Sequence, residues 1–261
     1  YAAAVQSGEL VTGEYIKLAV ERFYDWVKKS KAKGYFLDHA NGMHVILFFE
    51  KFLVHTKGDK ANESIMLSPY QQFTLYNLFA WKKKNRKGDL VRVFKTVYEK
   101  VARKNGKTAV CSGLGLYCQA FDDEEGAEIY VGATKEAQAK ILWDQAYSFV
   151  FKSIRLRKVG YSNTQREIRF RNRGKEGVFR FLGGDSKTLD GLNPSLAIID
   201  EYHAHKDDAV REVLESAMGA RSQPIMYIIT TAGFNSVSKC KLYEDVCKEI
   251  LKGIKEDDST L

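Results

Sequence analysis

Val101-Ala-Arg-Lys-Asn-Gly-Lys-Thr108 decides the reading of this 261-residue chain. A strand-like run, Phe94 to Ala102, leads into it, and an apolar helical stretch, Thr108 to Phe121, leaves it. Strand, Gly-Lys-Thr loop and helix in that order are the context a phosphate-binding loop needs. Backbone N–H groups at the helix start can wrap a polyphosphate. Lys107 can neutralise its β/γ oxygens, and the Thr108 hydroxyl can ligate Mg²⁺. The loop departs from the usual pattern at Val101, which stands five places before Gly106 where a glycine is common. Its interior is basic instead, and Arg103 and Lys104 would add positive potential around a triphosphate. Asn105-Gly106 is also a strong turn dipeptide, so the loop alone leaves an ordinary surface turn open.

Farther along, the apolar run Leu196-Ala-Ile-Ile-Asp-Glu201 ends in two carboxylates. Asp200 at such a strand end can hold Mg²⁺, and Glu201 beside it can polarise an attacking water. Loop and acidic strand end, in this order, point to nucleoside triphosphate hydrolysis.

The rest of the chain supplies the frame. Apolar content of 44% and charged content of 28% are ordinary for a globular chain. No apolar run is long enough to span a bilayer and no signal segment opens the sequence; the first residue is Tyr1, not Met, which leaves room for residues upstream. Cys111, Cys118, Cys240 and Cys247 lack metal-ligand spacing and read as reduced, buried thiols of a cytosolic protein. A net charge of +8 favours a polyanionic partner, with basic residues concentrated at 82–107 and 155–180.

Tyr15 to Lys29 has the apolar face of an amphipathic helix, and Gly42 to His55 reads as a second helix. Ser68 and Pro69 start a third as N-cap and first helical residue. After Gly88, strands and helices alternate: a strand at Glu128–Ala133, a helix at Lys135–Phe151, a strand at Leu196–Asp200, a helix at Asp207–Ala217 and a strand at Ile225–Thr231. Glu167–Asn172 and Val178–Leu182 form a hairpin around Arg173–Gly177. A helix at Leu242–Leu251 precedes a charged tail, Gly253–Leu261, expected to be mobile. The alternation predicts an α/β fold, a mostly parallel sheet flanked by helices with an N-terminal helical segment. Its ligand belongs at the C-terminal strand ends, where the loop, Asp200 and Thr231 all fall.

Taken in sequence, Leu67-x-Pro-Tyr-Gln71, the basic loop ending at Thr108, Gly132-Ala-Thr134, Leu189-Asp-Gly-Leu-Asn193, Asp200-Glu201-x-His203 and Thr230-Thr-Ala-Gly233 resemble the N-terminal ATPase domain of the large terminase subunit of tailed bacteriophages. The resemblance covers nearly the whole chain. It implies an ASCE-type P-loop NTPase fold, with residues 1–88 as a helical segment on an ATPase core of 89–261. The implied activity is ATP hydrolysis with Mg²⁺, coupled to translocation of double-stranded DNA into a procapsid. The implied partners are duplex DNA, the portal protein, the small terminase subunit and further copies in a homo-oligomeric ring, a pentamer. The implied location is the host cell cytoplasm. The family's C-terminal RNase H-like nuclease domain would begin where this chain stops, so nuclease activity is not expected of these residues.

Residue by residue, Gln71 resembles the glutamine that reads adenine, and Arg103, Lys104, Asn105, Gly106, Lys107 and Thr108 the ATP-binding loop. Thr108 and Asp200 would hold the metal and Glu201 would be the catalytic carboxylate. Thr230, Thr231, Ala232 and Gly233 resemble the motif that couples hydrolysis to movement. A trans-acting basic residue is sought at Lys187, with Arg180, or Arg103 in cis, left open. Arg171, Arg173 and Lys175 are the expected DNA contacts. Two alternatives stay open: a helicase-like nucleic-acid-dependent ATPase, and a non-catalytic nucleotide- or nucleic-acid-binding module.

Overall fold

The computed structural model describes residues 1–183, 191–233 and 237–261. Lys187 and the first two residues of the Leu189–Asn193 motif lie outside them.

The chain opens with α1 (Ala2–Gln6), α2 (Glu14–Lys33), β1 (Tyr35–Leu37), α3 (His39–Phe52), α4 (Pro69–Ala80), β2 (Trp81–Lys84) and β3 (Leu90–Arg92). α2 stops at Gly34, whose left-handed φ of 68° ends the helix without a Cβ clash. α4 starts as its sequence dictates, with Ser68 as N-cap and Pro69 in the first turn. β1, β2 and β3 make a small antiparallel sheet that the sequence did not signal. Its strands are three or four residues long, and Lys82–Lys84 carries no apolar alternation to read.

β4 (Thr96–Lys100), α5 (Lys107–Phe121), β5 (Ala127–Gly132), α6 (Glu136–Lys152), α7 (Ile154–Val159), β6 (Tyr161–Asn163), β7 (Ile168–Asn172) and β8 (Lys175–Phe181) follow. β9 (Leu196–Ile199), α8 (Ala209–Ala217), β10 (Ile225–Thr230) and α9 (Lys239–Leu251) complete the fold. Among the described residues the main sheet has the order β4-β10-β9-β5-β8-β7-β6. β4 through β8 in that order are parallel neighbours, and β8, β7 and β6 form an antiparallel meander. β9 and β10 are buried along their whole length, as the central strands of a sheet covered on both faces must be. The expected α/β fold, mostly parallel and flanked by helices, is what forms.

α5 is buried from Val110 to Ala120. A Cβ at Gly113 would stand 2.4 Å from the Phe49 ring, so glycine is what lets α3 press against the helix that follows the loop. The β7–β8 turn is tighter than the sequence suggests. Asn172 pairs with Lys175, leaving only Arg173 and Gly174, at φ 48° and 83°, to turn the chain. Two left-handed residues match the strand twist in a two-residue hairpin.

The charged tail is a correction. It is not free but docked: the Ser259 carbonyl accepts from Thr96 N–H at 3.0 Å, Leu261 N–H donates to the Thr96 carbonyl at 2.8 Å, and Tyr98 N–H donates to the Leu261 carbonyl at 3.0 Å. Arg22 donates to the Thr260 carbonyl at 2.7 Å, and Lys33 and Tyr35 meet Asp258 at 2.7 and 2.8 Å. The reason is long-range. β4 is an edge strand with open hydrogen-bonding groups, and the tail's acids face the cations of α2.

Candidate nucleotide site

The loop between β4 and α5 is held on two sides. Val101 N–H donates to the Thr230 carbonyl at 3.1 Å, tying its entry to β10. From the other side, the Tyr70 hydroxyl and Gln71 Nε2 donate to the Asn105 carbonyl at 3.0 and 3.1 Å. The loop's shape needs two left-handed residues, Lys104 at φ 66° and Gly106 at φ 74°. A Cβ at Gly106 would sit 3.3 Å from Gln71 Nε2, so glycine here serves both the dihedral and the approach of α4. Lys107 folds back, its Nζ donating to the Val101 carbonyl at 2.9 Å. Arg103 and Lys104 are exposed. The first turn of α5 therefore presents N–H groups and the positive end of a helix dipole, with Arg103, Lys104 and Lys107 beside it in the chain.

Gln71 has both ends of its amide occupied: Oε1 accepts from Ser68 N–H at 2.9 Å while Nε2 reaches Asn105. Beside the loop lies a cavity of about 650 Å³, lined in part by Tyr70, Phe73, Glu99, Val101, Ala102 and Ala232.

β9 and β10 bring the acidic and threonine motifs to the same end of the sheet. Asp200 N–H donates to the Gly132 carbonyl at 2.9 Å, and Asp200 Oδ1 accepts from Glu201 N–H at 2.9 Å. Burial pushes the Asp200 carboxyl up to about 6, and the neighbouring Glu201 charge adds to this. The Glu201 N–H and the Lys107 ammonium work against it. Glu201 itself is left-handed at φ 46°, a conformation that turns its carboxylate off the strand line. Its Oε2 lies 3.3 Å from His203 Nδ1 and 3.4 Å from the Thr231 hydroxyl. Thr230 is fully buried, and its Oγ1 accepts from His203 N–H at 3.1 Å and contacts His203 Nδ1 at 3.0 Å. A Cβ on Gly233 would come within 3.1 Å of the His203 Cβ.

His203 thus joins the acidic motif to the threonine motif. The sequence marks it only as the last residue of the Asp200-Glu201-x-His203 motif, with no role attached. Glu99 is a second residue the sequence did not reveal. It lies on β4 with its Oε2 accepting from the Tyr227 hydroxyl at 2.7 Å; burial raises its carboxyl, opposed by that hydrogen bond and by Lys107. Nothing in Thr96-Val-Tyr-Glu-Lys100 marks one acid of an alternating strand as facing inward.

The donor set suits magnesium. A hydroxyl at Thr108 and a carboxylate at Asp200 are hard oxygen ligands, and Mg²⁺ takes one or two carboxylates with waters and substrate phosphates completing its shell. Of the remaining expected residues, Arg180 is bound to Glu167 through Nε at 2.8 Å. Arg171 pairs with Glu176 at 2.6 Å and Lys175 with Asp123 at 3.0 Å, away from this site.

Residues 69–249 match the family described as terminase large subunit, ATPase domain. The chain is 25% identical over 217 residues to the terminase large subunit of Enterobacteria phage HK97, an alignment covering 79% of this chain and 40% of that protein. A 69-residue stretch is 42% identical to protein YmfN of Escherichia coli K12, covering 26% of this chain and 15% of that one. The crystal structure of the HK97 bacteriophage large terminase shares the fold with a TM-score of 0.67 at 23% identity, covering 84% of this chain and 43% of that one. The chain spans less than half the length of these HK97 proteins. Among the described residues, no helix is long and apolar enough to cross a membrane.

Proposed function

The chain belongs to the terminase large-subunit ATPase domain family, and from that premise we propose that it hydrolyses ATP to drive double-stranded DNA into a viral procapsid. One observation carries the proposal. The Gly-Lys-Thr loop, Asp200-Glu201 and Thr230-Thr231 meet at the C-terminal ends of β4, β9 and β10, three adjacent parallel strands.

In this reading Lys107 leaves the Val101 carbonyl for the β/γ phosphates, and the α5 N–H groups wrap them with help from Arg103 and Lys104. Thr108 and Asp200 hold Mg²⁺, which offsets charge on the phosphates. Glu201 orients and polarises the attacking water, its carboxylate steadied by His203 and Thr231. Gln71 reads the adenine edge; its amide offers both a donor and an acceptor, and it must release the Asn105 carbonyl to do so. Thr230 to Gly233 senses the γ-phosphate, and the route is short: Glu201 to His203 to Thr230, which heads the motif. The trans-acting cation remains Lys187, with Arg180 or Arg103 as alternatives. Arg180 would have to leave Glu167 first.

The proposal extends to a helical segment at 1–88 on a core at 89–261, a ring of five copies on the portal, the small terminase subunit as partner, and action in the host cell cytoplasm. Arg171, Arg173 and Lys175 are proposed DNA contacts. The test is ATP turnover with Mg²⁺ across protein concentrations, with duplex or single-stranded DNA added. Turnover per subunit that rises with concentration and with duplex supports the proposal. Stimulation by single strands alone points to a helicase-like enzyme, and nucleotide binding without turnover at any concentration to a non-catalytic module; either sinks it.

A further inference from the structure

The turn between β2 and β3 carries Lys83, Lys84, Arg86 and Lys87 within five residues. Lys84, Arg86 and Lys87 are exposed and Lys83 is half-buried, and among the described residues none of the four has an ion-pair partner. Lys82, next to them, is different: it is buried at 8% exposure under the influence of Arg92, Asp122 and Asp38 and belongs to the core.

The turn is pinned, which separates it from a frayed charged loop. Asn85 is its hub. Its Oδ1 accepts from Lys87 and Asp89 N–H at 2.8 and 3.0 Å, and its Nδ2 donates to Asp89 Oδ2 at 3.1 Å. Its backbone closes the turn with Asp89 and Gly88 at 2.9 and 3.0 Å. Asp89, the one acid on the turn, is hydrogen-bonded to Asn85 and ion-paired with none of the four cations, so the turn keeps a net positive charge.

The hairpin's place in the fold gives it neighbours. β3 runs into the N-terminal end of β4, so the hairpin stands at the end of the sheet opposite the candidate nucleotide site. Arg92 on β3 binds Asp122 at 2.5 Å, and the next residue, Asp123, binds Lys175 beside the β7–β8 turn. The two hairpins are therefore tied to one corner, where Arg173 adds a fifth cation without an ion-pair partner among the described residues.

We infer that the β2–β3 hairpin is a contact surface for the phosphates of duplex DNA. Lys83 and Lys84 end β2 and Arg86 and Lys87 sit in the turn after it, so four cations within five residues face a polymer carrying one charge per ~1.7 Å of axis. Such density occupies several cations at once, and the hairpin offers no base-reading groove. An acidic protein segment would need a buried anchor at the interface centre, and the hairpin's exposed large apolar side chain is Leu90 alone, at 56%. The choice of duplex over single strand rests on the packaging function proposed above.

The test uses the 261-residue chain with Lys83→Gln, Lys84→Gln, Arg86→Gln and Lys87→Gln combined, and a labelled mixed-sequence duplex titrated by anisotropy across salt. Each lost phosphate contact removes about 0.9 from the slope of log K against log salt, so the variant should be shallower by about 3 to 4. The charge-keeping variant Lys83→Arg, Lys84→Arg, Arg86→Lys, Lys87→Arg should hold the wild-type slope. Turnover without DNA should be unchanged in both. A chain with no turnover that still shows the slope change fails the hydrolysis reading and keeps this one. Equal slopes in wild type and the glutamine variant would overturn the inference, as would lost binding to polyglutamate with duplex binding intact.

Discussion

Replacing Asp200 with Asn should stabilise the free protein and do so more as pH rises. The carboxyl titrates near 6 in the folded chain against an ordinary 3.8, because burial and Glu201 disfavour its charge. Well below pH 3.8 it is protonated folded and unfolded alike and costs nothing. Between 4 and 6 the unfolded chain ionises while the folded one keeps its proton, so native stability falls as pH rises; above 6 the full cost is present. Integrating between those two values gives about 1.5 kcal/mol at pH 5 and about 3 kcal/mol at pH 8, upper figures because water screens a site that is only partly buried. Asn keeps an oxygen for the Glu201 N–H and removes the charge. Urea unfolding of wild type and Asp200→Asn at both pH values measures the gap, and at pH 8 about 3 kcal/mol corresponds to roughly 6–12 °C in Tm for a chain of this size. Added Mg²⁺ and ATP should raise the wild-type midpoint and leave the variant nearly unmoved, since ligand binding to the native state is itself stabilising. A variant less stable than wild type at pH 8, or a gap that does not grow with pH, refutes the reasoning.

Lys107→Ala should lose binding of labelled ATP; retention at wild-type strength would remove the loop from phosphate recognition. Glu201→Gln should bind ATP and Mg²⁺ yet turn over about 10²–10⁴-fold more slowly, and a rate within about twofold of wild type would move the catalytic role elsewhere. Arg92→Met leaves Asp122 buried without its partner and should cost about 3–5 kcal/mol in chemical denaturation. The double variant Arg92→Met/Asp122→Leu should recover much of that, and a single-variant cost under about 1 kcal/mol would show the pair to be dispensable.

Much of the core was legible because its signals are local. The strand before the loop, the helix after it, and the buried runs at 196–199 and 225–230 each carry a pattern a few residues long, and parallel order follows from their alternation with helices. What escaped depends on residues far apart in the chain. The β1-β2-β3 sheet forms because Trp81 and Arg92 find core partners, not because Lys82–Lys84 looks like a strand. The tail docks because β4 is an edge, a fact about sheet order that no window around residue 260 contains. His203 owes its place to Thr230 and Glu201, and Gln71 holds Asn105 through the three-dimensional approach of α4 to the loop.

The docked tail also bears on how the molecule is made. Arg22 reaching the Thr260 carbonyl closes a span of 238 residues, and long closures of this kind come late because their entropic cost precedes their reward. During synthesis β4 can pair with β10 on one side while its other side stays bare until residues 257–261 emerge. A bare strand edge is a template for pairing with another nascent chain. The strand that leads into the phosphate loop is therefore open to misassembly on the ribosome for that interval, and the cations of α2, earlier in the chain, wait to capture the acids that close it.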